Sequence, residues 1–186
     1  LLTLLLTTSL LAQDRARVEL PTTRGRVTIE ADRLAKESAE LWVAEGSVVI
    51  QLEDTTIKSS KAAYNPLTEG AILEGRVELI EGTQWLKGDR AELTLKDDTG
   101  VLYDVEGFTD QDLFVKARRL VKTGPSTYVA SDGFITACDE AIPKWSFKLK
   151  RANIRLGATA RVKHTLFRIN QVPLFYLPYV VIPTEK

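Results

Sequence analysis

The side chains that could do chemistry are few in this sequence, and their spacing does not favour catalysis. His164 is the only histidine, in the run Val162-Lys163-His164-Thr165, and no metal-ligand spacing surrounds it. Gly-rich phosphate loops, nucleophile elbows and CxxC pairs are absent from the sequence. We therefore predict that His164 is a surface residue of a strand, and that the protein is not an enzyme and uses no metal or other cofactor.

Acidic clusters are the remaining candidates for acid–base chemistry. Asp97-Asp98 and the segment from Asp110 to Asp112 could pair their carboxylates, but such clusters at turns usually form hydrogen bonds that shape the turn. One enzyme class stays open as an alternative. A β-helix enzyme that acts on polysaccharides would gather Asp and Arg side chains from successive repeats in one cleft.

Cys138 is the single cysteine, in Ala137-Cys138-Asp139-Glu140. In an exported protein a lone thiol indicates a bridge to another chain or domain, or else a buried small apolar residue. The residues alone do not decide between these roles.

The composition limits the size and the partners of the protein. Its 186 residues fit one domain, and 25 Lys and Arg balance 25 Asp and Glu. The longest basic run is Lys148-Leu149-Lys150-Arg151. Because binding by counterion release needs clustered cations, we predict that nucleic acid is not a partner.

The first twelve residues, 1–12, have the length and apolarity of the hydrophobic region of an export signal, and they end in the small residue Ala12. We interpret them as the remnant of a signal peptide, with the mature chain beginning near Gln13. An apolar N-terminal strand is the alternative.

An internal repeat of about 29 residues runs through most of the chain. Its first marker is a hydrophobic residue followed two positions later by a small one; the small residues are 28, 29 and 29 positions apart, at Ala31, Ser59, Gly88 and Ala117. Phe147-Lys148-Leu149-Lys150 continues the series without the small residue. The second marker is an acidic residue before glycine, at Glu45-Gly46, Glu74-Gly75, Glu106-Gly107 and Asp132-Gly133. We expect each glycine to supply a turn or bulge with positive φ before an apolar strand.

Within each repeat the apolar residues alternate, as in Val27, Ile29 and Ala31, which is typical of strands with one dry face. Turn signals such as Asn65-Pro66 separate these strands. Repeats of this kind bury their apolar faces only by stacking. We predict an all-β protein with two or more antiparallel strands per repeat and two sheets that face one another. A right-handed parallel β-helix and an ordinary sandwich are the alternatives.

The end of the chain is an apolar and aromatic run, Val172 to Pro183, with prolines at three positions: Pro173, Pro178 and Pro183. Since proline removes a backbone donor and disfavours helix before it, the run predicts an extended, irregular element that leaves the sheet. It is too short and too broken to span a bilayer as a helix.

Together with Cys138 and Trp145-Ser146-Phe147, this run resembles the signature that ends the periplasmic domain of the LptD (OstA) family of lipopolysaccharide-assembly proteins. The resemblance implies an open β-jellyroll of the kind shared by the Lpt proteins, located in the periplasm and associated with the outer membrane. It divides the chain into the signal remnant, a jellyroll domain over 13–171 and a connector over 172–186 toward an outer-membrane barrel. It also implies a disulfide from Cys138 to a partner in that barrel, which this chain does not include.

The function that the resemblance implies is transport of lipopolysaccharide or a related glycolipid, with its acyl chains sheltered in an apolar groove. Alternating aliphatic and aromatic residues are the predicted lining: Ile29, Val48, Ile50, Ile57, Val77, Leu79, Leu86, Val115, Ile135, Phe147, Ile154, Leu156, Phe167 and Ile169. Each of these residues could equally be plain core. A free-standing bridge protein of the LptA type is the alternative function.

The implied partners are an LptA-like jellyroll at the N-terminal edge, and the barrel with its lipoprotein plug at the other end. Jellyrolls of this superfamily join by strand addition, which uses the unpaired edges of a sheet. We expect the strand from Arg24 to Ala31 to be the receiving edge. Its charged residues Arg24, Arg26 and Glu30 could dock the partner or guard the edge against aggregation.

Overall fold

A computed structural model describes residues 15–109, 113–138, 140 and 142–184. The predicted signal remnant and the segment Asp110 to Asp112 lie outside these residues. All the regular structure described is β. The thirteen strands are β1 (Ala16–Thr22), β2 (Gly25–Ala31), β3 (Arg33–Ser38), β4 (Leu41–Leu52), β5 (Thr55–Asn65), β6 (Gly70–Glu81), β7 (Gln84–Thr94), β8 (Thr99–Phe108), β9 (Phe114–Gly124), β10 (Thr127–Thr136), β11 (Trp145–Arg155), β12 (Thr159–Ile169) and β13 (Val172–Pro183).

The strands form one antiparallel sheet in which nearly every strand pairs with its neighbours in sequence, in the order β1-β2-β4 and then β5 to β13. β3 pairs with the first half of β4, and β2 with the second half. The predicted open β-jellyroll is confirmed. Antiparallel pairing of consecutive strands excludes the parallel β-helix, and the single continuous sheet corrects the expectation of two separate ones.

The repeat of about 29 residues is a pair of long strands, since β5, β7 and β9 begin at Thr55, Gln84 and Phe114. Three of the acidic-Gly markers, at Gly46, Gly75 and Gly133, therefore lie in the middle of β4, β6 and β10, where we had expected them before a strand, and the fourth, at Gly107, lies near the end of β8. Register shifts between Glu45 and Val48, and between Glu74 and Val77, place a bulge at Gly46 and at Gly75. A bulge bends its strand, so each long strand contributes to two halves of a folded sheet.

The glycines of the markers do two different things. Gly46 and Gly75 have φ of 75° and 73°, as expected. In β8 and β10 the positive φ belongs to Asp104 (50°) and Asp132 (52°) instead. Gly133 is needed for space, because a Cβ there would clash with the carbonyl oxygen of Lys116 on the neighbouring strand.

The two halves of the sheet meet at their outer ends, which shows that the sheet folds over on itself. Arg24, in the turn between β1 and β2, donates to Asp98 Oδ1 (2.6 Å) in the turn 95–98 and to Glu53 Oε2 (2.9 Å). Glu53 lies in the turn between β4 and β5, and Asp98 in the turn between β7 and β8, so the two residues lie at opposite ends of the long antiparallel strands. The apolar faces of both halves therefore face one another.

The interior is packed most tightly near the N-terminal strands. The largest fully buried side chains are Val27, Ile29, Val48, Leu73 and Val77. A second, smaller cluster of Ala130, Leu149, Ala152 and Val162 lies between β10 and β12. β13, in contrast, is exposed along most of its length.

The run Val172 to Pro183 is extended, as predicted, but it does not leave the sheet. It pairs with β12 from Ile169↔Val172 to Thr159↔Pro183. Prolines are tolerated because β13 is the outermost of the described strands on this side and pairs with β12 alone among them. No helix that could span a membrane is found in the described part of the chain.

Candidate functional site

The apolar position of the repeat forms one continuous row across the inside of the sheet, which we call the inner row. Its members are cross-strand partners from β1 to β13: Val18, Ile29, Ile50, Ile57, Leu79, Leu86, Gly107, Val115, Ile135, Phe147, Phe167 and Phe175. Nine of the fourteen predicted lining residues belong to it. The regular spacing of these residues in the sequence thus places them in one row of cross-strand partners in the sheet.

A second inner row crosses the other half of the sheet and is rich in alanine. Its members are Leu34, Ala44, Ala62, Leu73, Ala91, Leu102, Leu120, Ala130, Ala152, Val162 and Val180. None of the residues that we predicted as lining lies in this row. The signal that could have revealed it is the recurrence of alanine a few positions beyond the small-residue marker.

Exposure of the predicted lining residues increases along the sheet. Five are buried, with 0% to 5% exposure: Ile29, Val48, Ile50, Ile57 and Val77. Seven are half-buried: Leu79, Leu86, Val115, Ile135, Phe147, Ile154 and Phe167. Leu156 and Ile169 lie at strand ends and are 46% and 42% exposed. Space for a guest is therefore greatest on the side of β9 to β13, while side chains fill the interior near β2 to β6.

The inner row changes from aliphatic to aromatic where this exposure increases. Phe147, Phe167 and Phe175 follow one another on β11, β12 and β13, with ring centroids 5.0 Å and 4.8 Å apart. Trp145 adds an edge contact to Phe147 at 5.9 Å. Rings of this size offer a broad, rigid apolar surface at the last strands of the sheet.

A group of polar contacts, which we call the clasp, closes the mouth between the two halves near β1 and β2. Thr23 donates through its backbone N–H and its hydroxyl to Glu69 Oε1, at 2.8 Å and 2.5 Å. Arg24 bonds Asp98, which also accepts from Lys122 Nζ at 2.7 Å. The clasp holds the β1–β2 hairpin over the turns 66–69 and 95–98.

Opening this mouth requires breaking the clasp, which gives a testable prediction. We expect Arg24→Glu to repel Asp98 and Glu53 and to increase amide hydrogen exchange in the turn 95–98 about tenfold, because partly exposed ion pairs contribute up to about 1 kcal/mol each. Arg26→Glu is the matched control, since Arg26 bonds Glu19 on the neighbouring strand and no other residue in the part of the chain that the structure describes. Equal exchange in both variants would show that the clasp does not hold the mouth.

The predicted edge residues lie elsewhere than expected. β2 pairs with β1 on one side and β4 on the other, so the outermost described strand is β1. Arg24 belongs to the clasp, Arg26 bonds Glu19 (3.3 Å), and Glu30 accepts from Arg17 (3.1 Å). The pKa of Glu19 is lowered by its bonds to Arg17 and Arg26. The receiving edge is thus corrected to Ala16–Thr22, and its docking role stays a prediction.

Cys138 is a free, half-buried thiol whose backbone N–H donates to Thr136 Oγ1 at 3.0 Å. His164 is exposed and has φ of 53°, within β12. Its Nδ1 contacts the hydroxyl of Tyr176. These positions match a surface histidine in a strand, and the disulfide of Cys138 stays a prediction.

Acidic and basic side chains do gather in one cavity of about 650 Å³, lined among others by Asp104, Glu106, Lys116, Arg118 and Asp132. Glu106 is paired with Lys116 at 3.0 Å. The hydrogen bond from Lys150 lowers the pKa of Asp132, so this carboxyl is not tuned to donate a proton.

Burial raises the pKa of the Tyr64 and Tyr128 hydroxyls, which keeps them neutral. In the residues described, no group of three His, Cys, Asp or Glu is placed to hold a metal.

The fold is an open β-jellyroll, an antiparallel sheet folded over an apolar interior. No family model matches the chain. The chain is 28% identical over 161 residues to the LPS-assembly protein LptD of Aliivibrio fischeri, an alignment that covers 84% of this chain and 20% of the relative. It is 29% identical over 147 residues (76% and 18%) to LptD of Photobacterium profundum, and 24% over 167 residues (88% and 21%) to LptD of Vibrio cholerae.

The resemblance to the LptD proteins is confirmed over most of the chain. The chain spans about a fifth of the length of the curated relatives that it matches. Their name describes proteins that assemble lipopolysaccharide. The interior of this chain itself is therefore the evidence for its function.

Proposed function

We propose that this chain is the jellyroll domain of an LptD-like assembly protein and conducts lipopolysaccharide, or a related glycolipid, through the periplasm toward the outer membrane. The observation that carries the proposal is the inner row, an unbroken apolar track from Val18 on β1 to Phe175 on β13. Acyl chains would lie along this track while the sugar headgroup stays in water. The step is transfer between binding sites, with no bond made or broken.

The free energy of acyl burial is large enough for such a role. Each buried methylene contributes about 0.8 kcal/mol, so a dozen carbons contribute roughly 10 kcal/mol before ordering costs. Near β2 to β6, part of this gain must offset the separation of side chains that already pack together, such as Ile29 and Ile50. Near β9 to β13 the lining side chains are half-buried, so less packing has to be separated. We therefore place the resting lipid on the C-terminal side of the sheet.

The proposed partners bind at the two ends of the sheet. An LptA-like jellyroll would add a strand to β1 at Ala16–Thr22, and an outer-membrane barrel with its lipoprotein plug would follow β13. Cys138 would form a disulfide with the barrel. The export signal over 1–12 and a domain from residue 13 onward complete the proposal, with 172–183 assigned to the sheet as its last strand.

A free-standing bridge protein of the LptA type would use the same track. The feature that favours the first function is the ending of the chain, where the Cys138 loop and the aromatic β13 follow the repeats. The similarity to LptD proteins extends over most of the chain.

A competition experiment tests the proposed function. The chain is titrated with fluorescent lipopolysaccharide, and unlabelled lipopolysaccharide or its deacylated saccharide is added. We expect the acylated lipid to compete and the saccharide to compete at least about a hundredfold more weakly, because most of the binding energy comes from acyl burial. Equal competition by the saccharide would contradict the proposal and favour a polysaccharide-binding cleft.

A further inference from the structure

The balanced net charge of the chain hides a strong separation of charge. Residues 1–112 contain 12 Lys and Arg against 21 Asp and Glu, whereas residues 113–186 contain 13 against 4. The two parts thus carry formal charges of −9 and +9. Such an asymmetry between two parts of a chain points to an anionic partner for the basic part.

One outward-facing row shows how the asymmetry arises on the sheet. Its cross-strand partners are Glu45, Lys61, Glu74, Arg90, Tyr103, Arg119, Ser131, Arg151, Lys163 and Tyr179. On the N-terminal side each cation faces a carboxylate, with Lys61–Glu45 at 3.1 Å and Arg90–Glu74 at 2.7 Å. From β9 onward this row contains no carboxylate.

We call the C-terminal part of this surface the basic outer face, defined by Arg119, Lys148, Arg151, Arg161 and Lys163. All five side chains are exposed, and the described part of the chain gives none of them a salt-bridge or hydrogen-bond partner. Nearby Lys150 is paired with Asp132 at 2.5 Å. Arg151 and Lys163 are direct cross-strand partners, and like charges in that position destabilise a sheet. The arrangement therefore calls for negative charge from outside the chain.

Exposed aromatic and aliphatic residues continue the basic outer face onto β13. Tyr176, Tyr179 and Val181 are 53%, 51% and 50% exposed, and they pair with the outward residues Leu166, Lys163 and Arg161 of β12. Cations beside exposed Tyr and aliphatic side chains are typical of surfaces that bind at the interface of a bilayer. Phosphates attract the cations, and the headgroup region accepts the amphipathic rings.

We propose that the basic outer face and the exposed side of β13 bind the surface of an anionic phospholipid bilayer. The surface is an extended sheet face that spans β9 to β13, which suits a membrane plane better than one phosphate group. Exposed aliphatic residues such as Val181 distinguish it from a nucleic-acid groove, which relies on cations and stacking rings. This surface is separate from the inner row, so the inference does not depend on lipid transport through the interior.

Vesicle co-sedimentation of the chain tests the inference. Vesicles of phosphatidylcholine alone are compared with vesicles that also contain a quarter of phosphatidylglycerol, at physiological salt. We expect binding to the anionic vesicles only. A triple variant, R119E/R151E/K163E, is expected to bind about a hundredfold more weakly, since each cation near an anionic surface contributes about fivefold.

The matched control is K36E/R76E/K96E, which makes the same change in net charge at exposed positions of the N-terminal part. It is expected to keep binding within about threefold, because distant charges are screened at this ionic strength. Lys163→Glu alone serves as a second variant that is expected to fold, since the introduced carboxylate would face Arg151 and form a favourable pair. This variant should still lower binding about fivefold or more.

Three results would overturn the inference: equal loss in both triple variants, equal binding to neutral vesicles, or binding to single-stranded DNA tighter than to anionic vesicles. A chain that fails to take up lipopolysaccharide in its interior but still binds anionic vesicles would contradict the proposed function and leave this inference intact.

Discussion

Replacing Phe147 by aspartate is expected to weaken binding of an acylated glycolipid about a hundredfold. Phe147 lies in the aromatic part of the inner row, 5.0 Å from the Phe167 ring, where the interior is half-open. A carboxylate in contact with acyl chains would lose its hydration without gaining a partner, at a cost of about 3 kcal/mol. The fluorescence titration with lipopolysaccharide described above measures the effect.

Two controls separate this effect from a general loss of structure. Phe147→Leu keeps an apolar side chain and is expected to bind within about threefold of the original chain. Gln51→Asp introduces a carboxylate at an exposed outward position of β4, next to Ile50 of the inner row and outside the basic outer face, and should leave glycolipid uptake unchanged. If Phe147→Asp bound as well as Gln51→Asp, acyl chains would not pass the aromatic row.

Replacing Leu73 by alanine is expected to give the largest loss of stability, about 3 kcal/mol in the free energy of unfolding. Leu73 has 0% exposure and packs between Ala62 and Ala91 of the neighbouring strands. These small partners cannot expand to fill the cavity. Thermal and urea unfolding should show a decrease in Tm of roughly 10 °C.

Ile72 provides the control for the loss of an aliphatic side chain. It is the preceding residue of the same strand but points outward and is 43% exposed. We expect Ile72→Ala to cost about 1 kcal/mol or less, because little buried surface is lost. Similar losses at the two positions would mean that the strand does not have one buried and one exposed face.

The fold could be predicted from the sequence because equivalent positions of the repeat become cross-strand neighbours in the sheet. Each repeat is one pair of long strands, so residues 28 or 29 positions apart occupy equivalent places in successive pairs. The hydrophobic position of every copy therefore falls in the inner row, from Ile29 to Phe147. Two-residue alternation indicated the strands themselves. Single strands, however, carry no information on where they bend.

For that reason the sequence could not predict where the strands bend, which strand forms the N-terminal edge, or that Val172–Pro183 pairs with β12. Periodicity could not show that Gly46 and Gly75 lie inside continuous strands, or that Asp104 and Asp132 take the positive φ further along. The proline run was interpreted as leaving the sheet, but an edge strand tolerates proline because one side of its backbone has no ladder to complete. The β1 strand lies before the first copy of the repeat, so the repeat does not mark it, although its apolar residues alternate with charged ones.

The basic outer face was missed for a different reason. The formal charges of +9 and −9 cancel over the whole chain, and no long run of cations marks the basic part in the sequence. In a sheet, residues distant in sequence become neighbours about 5 Å apart, so Arg119, Arg151 and Lys163 form a cluster that no run reveals. Counting charges separately for the two parts of the chain would have shown it.

Photo-crosslinking from inward and outward positions of the sheet tests the proposed lipid track most directly. A photoreactive amino acid is placed at Leu86 or Phe147, which belong to the inner row, and at Lys58 or Lys87, which face outward and lie outside the basic outer face. After incubation with lipopolysaccharide and irradiation, we expect adducts from Leu86 and Phe147 at least about tenfold above those from Lys58 and Lys87, because side chains of opposite strand faces do not share a lipid. Adducts confined to the outward positions, or equal on both faces, would contradict an interior that carries acyl chains.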